Sequence, residues 1–152
     1  MSTAAIATSK PPRMIDRNGM RGGAGISAVA LLVAFALAWG PLIPIVAVAL
    51  GVGSLFGPKR SPLGWLFRGL KKTLKLDIPV EPEEEAPPRF AQTLGFVFLT
   101  AGSIFFYAGG HTAVAWTLAL LVAGLQGLLA ATGICVGCEI YNFGRRFRTK
   151  AA

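Results

Sequence analysis

Cys135 and Cys138 are the only residues of this chain able to form a disulfide-exchange intermediate, and they stand in Gly133-Ile134-Cys135-Val136-Gly137-Cys138-Glu139. At i and i+3 they fall on one helical face, close enough to form a disulfide or to share a metal. Flanking glycines let another protein's backbone approach closely. Several chemistries stay open. The pair can be two reduced thiols packed at a helix end as small hydrophobes. It can exchange disulfide or persulfide with a cytoplasmic partner, or it can bind a metal or cluster. One chain supplies two soft ligands where tetrahedral zinc takes four, so no metal site is expected unless a dimer brings two motifs together. Two cysteines also exclude a framework of several disulfides.

Read as the carboxyl end of the preceding helix, the motif lies at the negative end of a helix dipole, which disfavours a thiolate. Glu139 adds charge of the same sign, and the tail arginines Arg145, Arg146 and Arg148 are the groups expected to offset it. His111 is the sole histidine and sits in a Gly109-Gly110-His111-Thr112 turn, about a membrane thickness from the cysteines. It is expected to be an exposed turn residue, not their base or fellow ligand. Gly22-Gly23-Ala24-Gly25 follows no strand, so small-residue helix packing explains it better than phosphate binding.

The elements that must hold this motif are apolar. The chain has 152 residues, 53% of them hydrophobic and only 14% charged, against about a quarter charged in a soluble domain. Residues 22–57 and 90–138 contain no Asp, Glu, Lys or Arg. Each run exceeds the roughly 20 residues that one crossing of the bilayer needs, so each is long enough to cross and return. The first breaks at Gly40-Pro41-Leu42-Ile43-Pro44, where prolines are best placed in an aqueous turn, and the second breaks at the His111 turn. This predicts helices over about 24–39, 42–56, 91–108 and 113–134. None of these spans holds an acid or base, which argues against ion-coupled transport. Ser103, Thr117 and Gln126 are expected to hold helices together.

The expected fold is therefore an all-α membrane protein of four short transmembrane helices in two hairpins. A basic segment at 1–21, its first dozen residues disordered, precedes hairpin 1 at 22–57. A cytoplasmic loop at 58–89 precedes hairpin 2 at 90–138, and a basic tail at 139–152 follows. In the loop, Leu63, Leu66, Phe67, Leu70 and Leu74 recur at helical spacing beside Trp65, with Arg68, Lys71, Lys72 and Lys75 between them. That is the pattern of an amphipathic helix lying on the membrane surface, and Trp65, Arg68, Lys71, Lys72 and Lys75 are the expected lipid-surface residues. The stretch from Asp77 to Pro88 reads as a polar linker.

All 15 Lys and Arg fall before residue 22, between 57 and 89, or after 144. Positive residues stay on the cytoplasmic side, which predicts both termini and the middle loop inside, in the cell membrane. The net charge of +8 is then matched to anionic headgroups, and nucleic acid is not an expected partner.

The chain resembles the uncharacterised bacterial membrane family known as domain of unknown function 4395. The features that carry the likeness are Ile15-Asp16-Arg17, Phe56-Gly57-Pro58 with Ser61-Pro62, Pro87-Pro88-Arg89-Phe90-Ala91-Gln92, and the closing Ala131 to Tyr141 with its Cys-x-x-Cys-Glu. They cover about residues 14 to 148; the glycine-rich 18–25 stretch departs from the pattern. The resemblance strengthens the membrane expectation and the interest in Cys135 and Cys138, and implies no reaction. The leading functional expectation is a thiol or sulfur relay through these cysteines with a thioredoxin-like or sulfurtransferase-like cytoplasmic partner. The alternative is a non-catalytic accessory subunit of a larger membrane complex.

Overall fold

The structure, a computed structural model, describes residues 11–151; part of the expected disordered start, residues 1–10, lies outside them. The order of elements is β1 (Met14–Asp16), α1 (Arg17–Ala36), α2 (Leu42–Phe56), a 3-10 turn at Pro58–Arg60, α3 (Pro62–Thr73), β2 (Pro82–Glu84), α4 (Ala86–Tyr107), α5 (Thr112–Thr132) and α6 (Val136–Lys150). The fold is helical apart from one short antiparallel ribbon, in which β1 pairs with β2 through Ile15 opposite Glu83.

Helices α1, α2, α4 and α5 form the body. α2 and α5 pack on α4, and α5 packs on α1. Leu31, Ile43, Val46, Leu50, Leu99, Ala119 and Val122 meet in the centre. Small residues bring the helices close: a Cβ at Gly95 would stand 2.9 Å from Leu50, the kind of approach that packs helices where no water drives them together. The outer faces are large and apolar instead, with Val29, Leu32, Ile45, Val48, Val97, Ile104 and Leu121 exposed. Three helices, α1, α4 and α5, are long and apolar enough to cross a membrane, while α2 has 15 residues.

Several boundaries differ from those expected, each for a local reason. α1 begins at Arg17 and not near residue 24, because Asp16 caps it and accepts the Asn18 N–H at 3.1 Å. α4 begins at Ala86, with Pro87 and Pro88 in its first turn; proline is tolerated there because those N–H groups have no helical acceptor. The segment read as a free linker is tied down. Glu85 N–H donates to Arg13 O, Arg17 N–H donates to Glu81 O, and residues 82–84 form β2. The basic tail forms most of helix α6.

The contacts between helix ends gather one end of the body. Arg17 and Arg21, at the start of α1, bond the last carbonyls of α5, and Arg89, at the start of α4, bonds Ser54 O and Leu55 O at the end of α2, both at 3.0 Å. The ribbon, α3 and α6 belong to this same end, so every Lys and Arg among the described residues lies on the elements gathered there or within two residues of them. The opposite end holds the turns at 37–41 and 108–111.

Candidate functional site

The cysteine motif is built where α5 stops and α6 starts. α5 ends at Thr132 because Gly133 turns left-handed, with φ +76°, and its N–H closes on Leu129 O at 2.9 Å. Thr132 Oγ1 then accepts the Ile134 N–H at 3.2 Å and fixes the exit direction. Cys135 follows as the N-cap of α6 in extended backbone, and its Sγ accepts the Cys138 N–H at 3.3 Å. The two cysteines are joined in a disulfide, with Cα atoms 5.1 Å apart.

This overturns the expected electrostatics. The motif is not the carboxyl end of the preceding helix but the amino end of a new one, because the left-handed glycine separates them. A helix N-terminus favours negative charge, so a thiolate on Cys135 faces the positive end of α6, the setting in which cysteines become reactive. Among the described residues, no group of three or more His, Cys, Asp or Glu side chains comes together as a metal site.

The cations beside the motif are also not those expected. Arg17 Nη2 donates to Gly133 O at 3.1 Å, and Arg21 Nη2 donates to Ala130 O at 3.0 Å and Ala131 O at 3.4 Å. These guanidinium groups satisfy the free carbonyls that end α5 and offset its negative pole. The tail residue Arg145 is committed elsewhere, 3.3 Å from Glu84. Arg17 and Arg21 are one helical turn apart, a signal present in the sequence, where they counted only toward orientation.

The glycines of the motif serve the chain itself. Gly133 supplies the left-handed turn, and a Cβ on Gly137 would stand 2.9 Å from Ala91 Cα, so α6 lies directly against the start of α4. Their space is therefore not held open for a partner's backbone. Cys138 is buried at 6% exposure, while Cys135 is half-buried and faces an apolar cavity of about 580 Å³. The cavity is bounded by α1, α3, α4, α5 and α6. Its walls are largely apolar, with Met20, Leu94, Phe98 and Leu125, and the lining also holds Ser61, Gln92 and Gln126 and the charged Asp16, Lys59 and Arg68. Ser61 Oγ and Gln92 Oε1 are buried and have no hydrogen-bond partner.

His111 is exposed and is the N-cap residue of α5, with that helix's 21 residues, about 32 Å, between it and the motif. On α3, Trp65 is 74% exposed, and Leu66, Leu70 and Leu74 are exposed with it. Leu63 instead packs toward the core, and the Phe67 ring lies over Gly22 of α1, so only part of the expected lipid-facing stripe is free. Arg68 donates to Lys59 O at 2.8 Å, Lys71 Nζ donates to Ile78 O, and Lys72 and Lys75 are exposed. α6 repeats the pattern, with Ile140, Phe143 and Phe147 exposed among Arg145, Arg146, Arg148 and Lys150.

Apolar helices of this length, with a cysteine pair at one pole of the body, define a small helical protein with candidate membrane spans. The chain matches the sequence model described as Domain of unknown function (DUF4395) over residues 15–146 and belongs to that family. No curated protein and no solved structure matches it.

Proposed function

We propose that this is a multi-pass protein of the cell membrane with four spans in two hairpins and both termini cytoplasmic. Its disulfide, Cys135–Cys138, is a relay for a thioredoxin-like or sulfurtransferase-like cytoplasmic partner. The observation that carries the reading is the placement of the pair. A disulfide caps the amino end of α6, at the end of the body on whose elements all the described cationic residues lie. Cationic segments stay cytoplasmic, which supports the orientation. The exposed apolar faces of α3 and α6, each edged with Lys and Arg, suit a surface with anionic headgroups. α2, about 22 Å long, crosses by local thinning of the bilayer.

In the relay, a partner thiolate attacks Cys135 Sγ, the S–S bond breaks, and Cys138 leaves as the thiolate. The partner's second thiol then attacks the mixed disulfide, leaving an oxidised partner and a reduced pair. The burial of Cys138 and the half-exposure of Cys135 favour this order, with Cys135 attacked and Cys138 leaving; when the exchange runs in reverse, Cys138 is the resolving residue. Limiting alkylation of the reduced protein tests it: Cys135 reacts first, and equal or reversed labelling counts against the assignment.

The exposed stripe of Ile140, Phe143 and Phe147 favours a second reading, a non-catalytic accessory subunit that docks through α6. Under that reading serine at both cysteines leaves the cellular role intact, whereas a relay loses it.

A further inference from the structure

The lining of the 580 Å³ cavity changes character along its length. Lys59 and Arg68, both exposed, line it from the turn after α2 and from α3, at the cationic end of the body. The remaining wall follows α4 from Phe90 to Phe98 and α5 from Leu129 back to Val122, with Leu50 of α2 beside them. At 1.5 Å per residue these stretches run about 12 Å and about 10 Å into the candidate spans. That is most of the roughly 15 Å of hydrocarbon in one leaflet. We propose that the cavity holds one anionic phospholipid of the cytoplasmic leaflet, its phosphate at Lys59 and Arg68 and an acyl chain along α4 and α5. The inference rests on the membrane reading and is independent of the relay.

Three observations select that occupant. The first is the gradient itself: charged residues at one end and apolar walls beyond match an amphiphile. A soluble anion would leave the apolar walls unused, and an uncharged apolar molecule would leave the cations unused. The second is that the two cationic residues are held together. Arg68 Nη2 donates to Lys59 O at 2.8 Å, which fixes the guanidinium beside Lys59 while its other N–H groups can reach a phosphate. A basic pocket between membrane helices on the cytoplasmic side is a setting in which acidic headgroups bind. The third is the balance of charge. Asp16 is the one acid of the lining, against Lys59 and Arg68, so a net negative headgroup is favoured over a zwitterion. Asp16 Oδ1 already accepts the Asn18 N–H at 3.1 Å, and its carboxylate can also accept from a headgroup hydroxyl. Phosphatidylglycerol, with a phosphate and two hydroxyls, meets both requirements.

The test uses the full chain, purified in a mild detergent and titrated with phosphatidylglycerol or with phosphatidylcholine of identical acyl chains. Native mass spectrometry should find one phosphatidylglycerol per chain, and phosphatidylcholine should need at least about fivefold more lipid for the same occupancy. Lys59→Gln keeps the carbonyl that Arg68 bonds. It should weaken phosphatidylglycerol about fivefold, the worth of one cation near an anionic lipid surface, and leave phosphatidylcholine unchanged. Cys135 lines the same cavity and is the only thiol of a Cys138→Ser chain. Saturating phosphatidylglycerol should therefore slow alkylation of that chain several-fold, and phosphatidylcholine at the same concentration should not. Equal retention of the two lipids overturns the inference, and so does a preference that survives Lys59→Gln and Arg68→Gln together. Phosphatidylglycerol that is retained without protecting Cys135 lies on an outer face and overturns it too. These outcomes leave the membrane reading standing where alkaline carbonate fails to extract the chain from membranes. Extraction by carbonate overturns that reading and this inference together.

Discussion

The Arg17 guanidinium donates to Gly133 O at 3.1 Å and ties residues 116 positions apart. One end of the bond is the first residue of α1 and the other is the left-handed turn that presents Cys135. Arg17 also lies 3.8 Å from Glu83 of the ribbon, so one side chain links the start of the chain, the polar loop and the cysteine turn. Its side chain is 42% exposed, which screens the ion pair and leaves the bond to the carbonyl as the main contribution.

Arg17→Met should therefore lower stability by about 1.5 kcal/mol, the low end for a bond from a charged donor. The larger effect is local: the turn at Gly133 loosens. Thermal unfolding in detergent reads the first effect, and faster alkylation of the reduced pair reads the second. Unchanged alkylation would show that the turn does not depend on the guanidinium.

Two glycines should differ in cost. Gly133→Ala places a side chain at φ +76° and should cost about 1 kcal/mol. Gly57 has φ +91° and ψ 156°, a region essentially limited to glycine, and an added Cβ there would run into the buried Glu85 carboxylate. Gly57→Ala should cost about 3 kcal/mol. Equal losses in the same unfolding assay would contradict the distinction.

Much of this arrangement was legible in the sequence. The double proline at 41–44 and the His111 turn placed four apolar helices, and α2 matches its predicted bounds of 42–56. The likeness through Ile15-Asp16-Arg17 and the Cys-x-x-Cys-Glu segment was legible too. The electrostatics of the motif were not. A single left-handed residue at Gly133 decides whether Cys135 ends one helix or begins another, and local spacing is the same in both cases. The partners of that turn, Arg17 and Arg21, are more than 100 residues away and could be met only in the fold. Nor could spacing show that Leu63 and Phe67 leave the amphipathic stripe of α3 to pack inward, since that depends on Gly23 and Gly22 facing them from α1.

The membrane contact of α3 should depend on Trp65, Leu66 and Leu70, which are exposed, and not on Phe67, which the chain already covers. Serine at the first three should move a spin label at residue 73 into water, and Phe67→Ser should instead destabilise the packing on α1. A label already fully hydrated before substitution would mean that α3 lies away from the lipid.

The proposed orientation rests on the clustering of cations at one end of the body. Labels introduced at Lys71 and Lys150 should be shielded in intact cells and react after permeabilisation, and a label at His111 should react from outside. An externally labelled tail would overturn the four-span arrangement.

The most direct measurement of the relay is the trapping of its partner. With Cys138→Ser, Cys135 is a free thiol; its attack on the disulfide of an oxidised partner, the reverse of the exchange, releases one partner thiol and forms a mixed disulfide that no second cysteine of this chain can resolve. After acid quenching and thiol blocking, this variant should carry a cytoplasmic protein as a higher-mass band that a reductant removes. Cys135→Ser and the double variant should lack that band. A band carried by Cys135→Ser in place of Cys138→Ser would reverse the two roles, and the absence of any band from either single variant would contradict the relay.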